Sequence, residues 1–376
     1  MTRERAASAV LLVRHSRLIG RVAIAATILL AVLAVGAWPA AAAESLAIVA
    51  GIESRQQKAE LLSRLRAAGY DVAVLDKSVL DIAAGLLADI ERGDIGETDA
   101  QRPPHLADFS RTVLAAVPGL PGYKRVHVVS SAMLPVELVL DGSGGFMGDS
   151  IVISHEFPDA RRPLPVPRAE QRPFASYVIE AVMGMPAGSV RAEQDIVQVA
   201  LSLEGTYTVE LHFGSGRKSL ERTLLRDDVG ILHIDTHGSE GGDAIQVSRA
   251  GAMLPARALP QRVRVPVVLL FGCEGVANAE AFGAVLRQRG AEAVISSFAK
   301  FESFGLTGDA TREKRIYEAF FRSIGAGEDV GTALLRLRQV ARAEAISAGS
   351  GRTLTRLFFV LLGNSRLTLS GPVAAN

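Results

Sequence analysis

The amino-acid sequence predicts an α/β protein: a mainly parallel sheet with helices on both faces, in one large domain or two subdomains. Three observations predict it. Apolar runs of strand length alternate with amphipathic stretches of helical period from residue 46 to residue 362. Several of these runs stop at a glycine-bearing turn. The composition is 48% hydrophobic and 22% charged, which excludes a disordered or collagen-like chain.

Taken in order, Leu46 to Ala50 is an apolar strand ending at Gly51. An amphipathic helix follows through Leu61, Leu62 and Leu65, closes at Gly69, and leads into a second strand at 70–75, completing a parallel β-α-β unit. Helical patterns at 79–90 and 106–117 precede strand-like runs at 125–130, 136–140 and 150–154. Residues 157–172 hold four prolines and four arginines and read as an exposed loop or subdomain boundary. A second series then runs helix 191–203, strand 206–212, helix 217–225, strand 230–235, strand 266–271, helix 277–289 and strand 292–296. Helices at 310–324 and 328–347 and a strand at 357–362 complete it. The last helix, with Arg336, Arg338 and Arg342, reads as a solvated cover on the sheet. The organisation expected is 1–43 as an N-terminal signal or anchor, 44–190 and 191–370 as two α/β subdomains, and 371–376 as a tail.

The first 43 residues have the pattern of an export signal. Five arginines precede an uncharged apolar run from Val22 to Trp38, and Ala41-Ala42-Ala43 before Glu44 fits a small-x-small cleavage site. The 17-residue run is at the lower limit for crossing a bilayer, so an uncleaved anchor is the alternative; the cleavage pattern favours removal. Either reading puts the remainder outside the cytoplasm, periplasmic or secreted, and confines any membrane contact to this segment.

Two strand ends carry reactive residues. Ile231 to Ile234 leads through Asp235-Thr236 to His237-Gly238, and Val267 to Phe271 leads through Gly272 to Cys273. Parallel neighbouring strands would bring both side chains to one rim of the sheet, where chemistry collects in such folds. A thiol beside an imidazole is the minimum for nucleophilic acyl transfer, the imidazole taking the thiol proton and returning it to the leaving amine. Gly238 leaves its N–H open, and together with the N–H of Cys273 it would hold the developing oxyanion. Cys273 is the chain's single cysteine, which excludes a disulfide framework and a multi-thiolate metal site. A buried structural role is the alternative for a lone cysteine, but the strand-end position between Gly272 and Glu274 argues for catalysis. Asp235 either orients His237 or makes a structural contact, and His233 is expected to contact neighbouring strands.

At these residues the sequence resembles the caspase-like cysteine peptidases, a group that includes caspases, gingipains, separases and CHAT domains. The shared signature is an apolar strand ending in His-Gly followed by a second ending in the catalytic cysteine, here HIDTHG and LLFGC. The likeness is closest to CHAT and gingipain-like domains. Leu134-Pro135-Val136-Glu137-Leu138 resembles their Pro-x-Glu segment, residues 290–298 a later strand, and 359–367 the closing strand. It departs at Glu274, at Phe298 in place of tryptophan, and at Asn364-Ser365 in place of Asp-Pro. The resemblance implies a caspase-like three-layer sandwich, an endopeptidase with His237 and Cys273 as its dyad, and a protein or peptide substrate. It also places a specificity pocket along Ser297 to Glu302, including Phe298. There Glu302 would select Arg or Lys before the scissile bond, unless it is a loop surface charge. The alternative function is a non-catalytic binding or assembly module of the cell envelope, with a partner protein.

Other chemistries find no support in the sequence. A formal charge of +1 gives no sequence-independent attraction to nucleic acid. His233 and His237 have zinc-like spacing, but on a strand they stand about 13 Å apart, too far for one metal ion. The glycines of 142–148 lack the Lys-Ser/Thr of a phosphate loop and lead into a strand, which reads as a glycine-rich hairpin or surface loop. No Gly-x-Ser-x-Gly elbow is present. No cofactor is therefore expected.

Overall fold

The computed structural model describes residues 44–370 except 93–103, 144, 159–164, 174–175, 182–207, 214–215, 240, 249–250, 273–277, 299–309 and 349–354. The expected N-terminal signal and the helix at 191–203 lie outside the described residues.

β1 (Ser45–Ala50) is buried at every position. Its alternate residues feed two separate apolar clusters, Leu46 and Ile48 on one face, Ala47 and Val49 on the other. That is the mark of a strand covered on both sides. α1 (Arg55–Ala67) follows, its first turn capped by the Ser54 hydroxyl accepting from Gln57 N–H at 3.3 Å. It ends where Gly69 takes φ +83° and Tyr70 N–H reaches back to Leu65 C=O at 3.1 Å. Leu61 and Leu65 seat this helix on the Ala47/Val49 face. β2 (Asp71–Val74) then pairs parallel with β1. α2 (Ser78–Glu91) and α3 (Pro104–Ala116) cover the opposite face through Ala83, Leu86, Phe109 and Val113. β3 (Arg125–Ser130) and β4 (Val152–Glu156) extend the sheet.

The chain continues through β5 (Glu170–Pro173), β6 (Ser176–Ala181), β7 (Thr208–Phe213) and α4 (Arg217–Leu224) to β8 (Val229–Thr236). A short hairpin, β9 (Ala244–Gln246) and β10 (Met253–Pro255), precedes β11 (Val267–Gly272). A π-turn at Asn278–Gly283 runs into α5 (Ala284–Arg289), and β12 (Ala293–Ser297) follows. α6 (Ala310–Gly325), α7 (Val330–Ala348), β13 (Phe359–Gly363) and β14 (Leu367–Ser370) close the fold.

Among the described residues the main sheet has ten strands, in the order β2-β1-β3-β4-β13-β12-β11-β8-β6-β7. Every neighbour pair is parallel except β12 with β13, which is antiparallel. The sheet is therefore two oppositely directed parallel blocks joined at that seam. In the second block, Val268 and Leu270 of β11 pack with Leu224 and Leu286, while Val267 and Leu269 face Ile316, Phe320 and Leu334 of α6 and α7. The fold class expected from the sequence, mainly parallel α/β with helices on both faces, is the one observed.

Three local expectations are corrected. Residues 136–140 do not form a strand: Val136–Leu138 is a 3₁₀ turn, entered through Pro135, and Glu137 points into the protein with 0% exposure. The loop expected over 157–172 ends in β5, which pairs with β14. α7 covers the sheet with Arg336 and Arg342 exposed as expected, but Arg338, between them, is 1% exposed. The glycine-rich 140–146 stretch is a hairpin closed by a Leu140–Phe146 bridge, with Asp141 accepting from Ser143 and Gly145 N–H.

Candidate active site

β8 is apolar until its last residues, and its end is anchored rather than frayed. The Thr236 hydroxyl donates to Gln246 C=O at 2.5 Å, and Gln246 N–H donates to His237 C=O at 2.8 Å. Ser239 N–H donates to Ala244 C=O at 2.8 Å, so the chain beyond β8 folds back as a hairpin onto β9. Gly238 pairs with Ile245 in this hairpin. The bonds of that bridge run through the flanking residues, His237 and Ser239, which leaves the Gly238 N–H unused by the pairing. His237 is half-buried at the strand terminus.

Behind it, on the same strand face, His233 is fully buried and hydrogen-bonded through Nδ1 to Tyr177 Oη of β6 at 2.9 Å. Burial pushes the His233 imidazole down to about 3, so it is neutral. Burial, and then the nearby Asp235 carboxylate, hold the Tyr177 phenol well above its ordinary value. His233 thus meets the neighbouring strand, as its alternation with His237 predicts. Asp235 is 3% exposed and sits on this same polar seam within the sheet.

β11 lies beside β8 in parallel register, with Phe271 opposite Asp235 and Gly272 opposite Thr236. The next residues in sequence are Cys273 and His237. Cys273 itself lies outside the described residues, and so does Glu302. Ser297 is the last residue of β12, paired with Phe359 of β13, and is buried. Phe298 is buried too: its N–H donates to Phe358 C=O at 3.0 Å, and the two rings lie 5.4 Å apart. The structure thus brings Ser297 and Phe298 to the same sheet edge as His237 and Gly238, with the Phe298 ring packed inward.

One residue near this edge escapes sequence reasoning. Glu280, in the π-turn, accepts from Met133 N–H at 2.5 Å and so ties the segment following Cys273 to the loop after β3. Burial raises its carboxyl above the ordinary range. The only signal in the sequence is an acid among the apolar residues of 277–289. Among the described residues no cluster of His, Cys, Asp and Glu suits a metal ion, and no helix is long and apolar enough to cross a membrane. Chemically, the described edge offers an imidazole beside a backbone donor that the hairpin pairing does not use.

No protein-family model matches the chain, and no curated protein matches it. Among solved structures it is similar to a chain of the Saccharomyces cerevisiae separase–securin complex, with 14% identity and a TM-score of 0.42 over 65% of this chain. It is also similar to a structure described as a protease, with 13% identity and a TM-score of 0.49 over 86% of this chain and 78% of that one. The first likeness spans only 16% of the separase-complex chain. Identities and scores this low say nothing of activity.

Proposed function

We propose that the chain is an exported, caspase-like cysteine endopeptidase. Cys273 attacks the peptide carbonyl, His237 takes the thiol proton and delivers it to the leaving amine, and water then hydrolyses the thioester. The N–H groups of Gly238 and Cys273 hold the oxyanion. The observation that carries this reading is the in-register ending of β8 and β11. Thr236 faces Gly272, each is one peptide bond from a dyad residue, and Gly238 next to His237 keeps its N–H free of the hairpin. Covalent geometry then keeps the Cα of Cys273 no more than about 12 Å from that of His237.

The substrate is a protein or peptide. Ser297 and Phe298 form the base of the specificity pocket, and Glu302 selects Arg or Lys before the scissile bond. The segment 1–43 directs export and is removed after Ala43, which leaves the enzyme periplasmic or secreted.

The test is hydrolysis of a fluorogenic peptide panel with Arg, Lys, Leu and Asp at the position before the cut. Cleavage is expected after Arg and Lys, abolished in Cys273→Ala and in His237→Ala. Cleavage that survives Cys273→Ala refutes the dyad, and preference for Leu or Asp refutes Glu302 as selector. A folded protein whose thiol stays inert to acyl probes would instead be a binding module. The intact mass of the exported protein reads the cleavage site directly.

A further inference from the structure

Because the two strand blocks run in opposite directions, the sheet has a second carboxyl edge, at the ends of β4 and β13. It lies about 15 Å from the His237 edge, the length of β12. A cavity of about 590 Å³ opens there, bounded by the last turn of α1, residues 165–168, α5 and the turn into β12. That size falls within the ~300–1,000 Å³ usual for small-molecule sites. His237 is not among its described lining residues, and a ligand bound there is independent of the proteolytic reading.

The charged lining is balanced, Arg64, Arg168 and Arg287 against Glu156, Glu170 and Glu292. Its inner part is built and incompletely matched. Glu156 and Arg287 have side chains 9% and 8% exposed, and Glu156 Oε2 accepts from Arg287 Nη2 at 2.9 Å, leaving Oε1 for another donor. Arg287 Nη1 is taken by Ala291 C=O, yet its buried Nε has no acceptor. Glu292 Oε1 is paired with Arg172, while its buried Oε2 has no donor. Asn364 uses Oδ1 to accept from Arg366 N–H at 3.1 Å and keeps its NH₂ for a ligand. Buried groups of this kind are costly to leave unmet.

The residues that carry these two acceptors and two donors all line one cavity, with Arg287 Nε and Glu292 Oε2 closed off in its wall. An inorganic anion would meet the buried carboxylates of Glu156 and Glu292, a metal ion would meet the Arg287 guanidinium, and an apolar ligand would satisfy none of the four. We infer that this cavity binds an α-amino group together with the adjoining carboxyl or carbonyl oxygen, the chemistry of a free amino acid or of a peptide amino terminus. The ammonium donates to Glu156 Oε1 and the adjoining oxygen accepts from the Asn364 amide, while the Glu292 and Arg287 side chains turn from the wall to complete the pair. Arg64 and Arg168 stand nearer solvent, where a second carboxylate of the ligand would lie.

The experiment uses the full chain with ¹⁵N-labelled arginine, following the Arg287 Nε–Hε signal, assigned by its loss in Arg287→Lys. The probes are L-alanine, L-alanyl-L-alanine amide, N-acetyl-L-alanine, ethylamine and acetate. Saturable shifts are expected with alanine or the dipeptide amide, the tighter of the two telling a free amino acid from a peptide terminus. The other three, each lacking one half of the pair, should bind at least about tenfold more weakly. Ala67→Trp, which fills the cavity from an exposed position without removing a polar group, should abolish the shift with no change in Tm. Absence of a shift with both ammonium-bearing alanine probes overturns the inference. So does equal binding of ethylamine or acetate, or binding that survives Ala67→Trp.

Discussion

Replacing Arg338 by Met tests what the buried polar network at the centre of the fold contributes. Arg338 comes from α7 and is 1% exposed. Its Nη2 donates to Glu137 Oε1 at 3.3 Å and to Phe359 C=O of β13. Glu137 also accepts from His155 Nε2 at 2.9 Å, and neither partner of that bond is exposed. Burial by itself would raise the Glu137 carboxyl; His155 and Arg338 outweigh it and hold the group below its ordinary value. Methionine fills most of the arginine's volume but leaves a buried carboxylate short of its full countercharge and a strand carbonyl short of a donor. Breaking a buried pair from one side costs about 3–5 kcal/mol. For a folded unit of about 330 residues, an unfolding entropy of about 2.1 cal/mol/K per residue converts this to a Tm lowered by roughly 4–7 °C. Urea unfolding followed by circular dichroism, beside a calorimetric scan, reads both numbers. Arg338→Met/Glu137→Met removes the stranded charge along with its partner and should recover more than half of the loss. A depressed carboxyl contributes stability that is present in full above its unfolded value and lost as pH falls through its folded one, so the wild type should lose this part below about pH 4. A single variant within about 1 kcal/mol of wild type, or a double variant no better than the single, would sink the reasoning.

His127 and His233 are both pushed down to about 3, chiefly by burial, against 6.5 for the free group. As pH falls below 6.5 the unfolded chain takes up protons that the native state refuses, and each histidine should cost about 1.4 kcal/mol per pH unit; urea titrations from pH 7 to pH 5 should show the slope, reduced in His127→Asn. Gly363 has φ +94°, and a Cβ there would collide with the Arg287 guanidinium. Gly363→Ala should therefore lower stability by about 2 kcal/mol or more in the same assay, and an unchanged midpoint would contradict that crowding. Thr236→Val removes the hydroxyl that pins the β9 hairpin to the end of β8, with an expected loss of about 1 kcal/mol. On peptide substrates it should lower kcat more than it raises KM, because it loosens His237 and Gly238 rather than the substrate pocket; a change in KM alone would mean the opposite.

Much of this fold is legible because buried parallel strands leave a plain signal. Arg125 to Ser130, Val229 to Thr236 and Val267 to Gly272 are apolar runs with turn residues at their ends, and each is a strand within a residue or two of its expected bounds. The misreadings arise where tertiary contacts override local pattern. Val136 to Leu140 has the apolar content of a strand, but Pro135 withholds a donor and Glu137 is drawn inward by Arg338 and His155, so the backbone turns. Arg338 reads as one more surface arginine until its partner Glu137, 201 residues away, is known. β6 sits in a sequence with no clean apolar run, and it is held by β7 and β8 on either side. At the candidate site the rim position of His237 and Gly238 follows from the strand pattern. That the hairpin leaves the Gly238 N–H out of its pairing does not, since it depends on which residues of the returning strand make the bonds.

A weak join inside the first block, between β4 and β13, explains where the protein places its buried charge. β12 and β13 share five register pairs, and β3 and β4 also five, yet β13 meets β4 at a single pair, Leu362 with His155. Backbone pairing alone would locate β1 to β4 poorly against β13, and through β13 against the second block. Buried ion pairs lie around this weak join. Arg287 of α5 reaches Glu156 at the end of β4, and Arg338 of α7 reaches both Glu137 and the β13 backbone. Arg356, just before β13, makes a bidentate pair with Asp149, just before β4, at 2.7 and 2.6 Å. A slip of one residue along β13 would turn its side chains to the wrong face and part these charges from their partners in a medium that solvates neither. Apolar contacts would hold β13 beside β4 as strongly, but they would tolerate the slip. Holding that register fixes both rims at once: the far ends of β8, β11 and β12, with His237 and Gly238, and the near ends of β4 and β13, where Glu156, Arg287 and Glu292 line the second cavity.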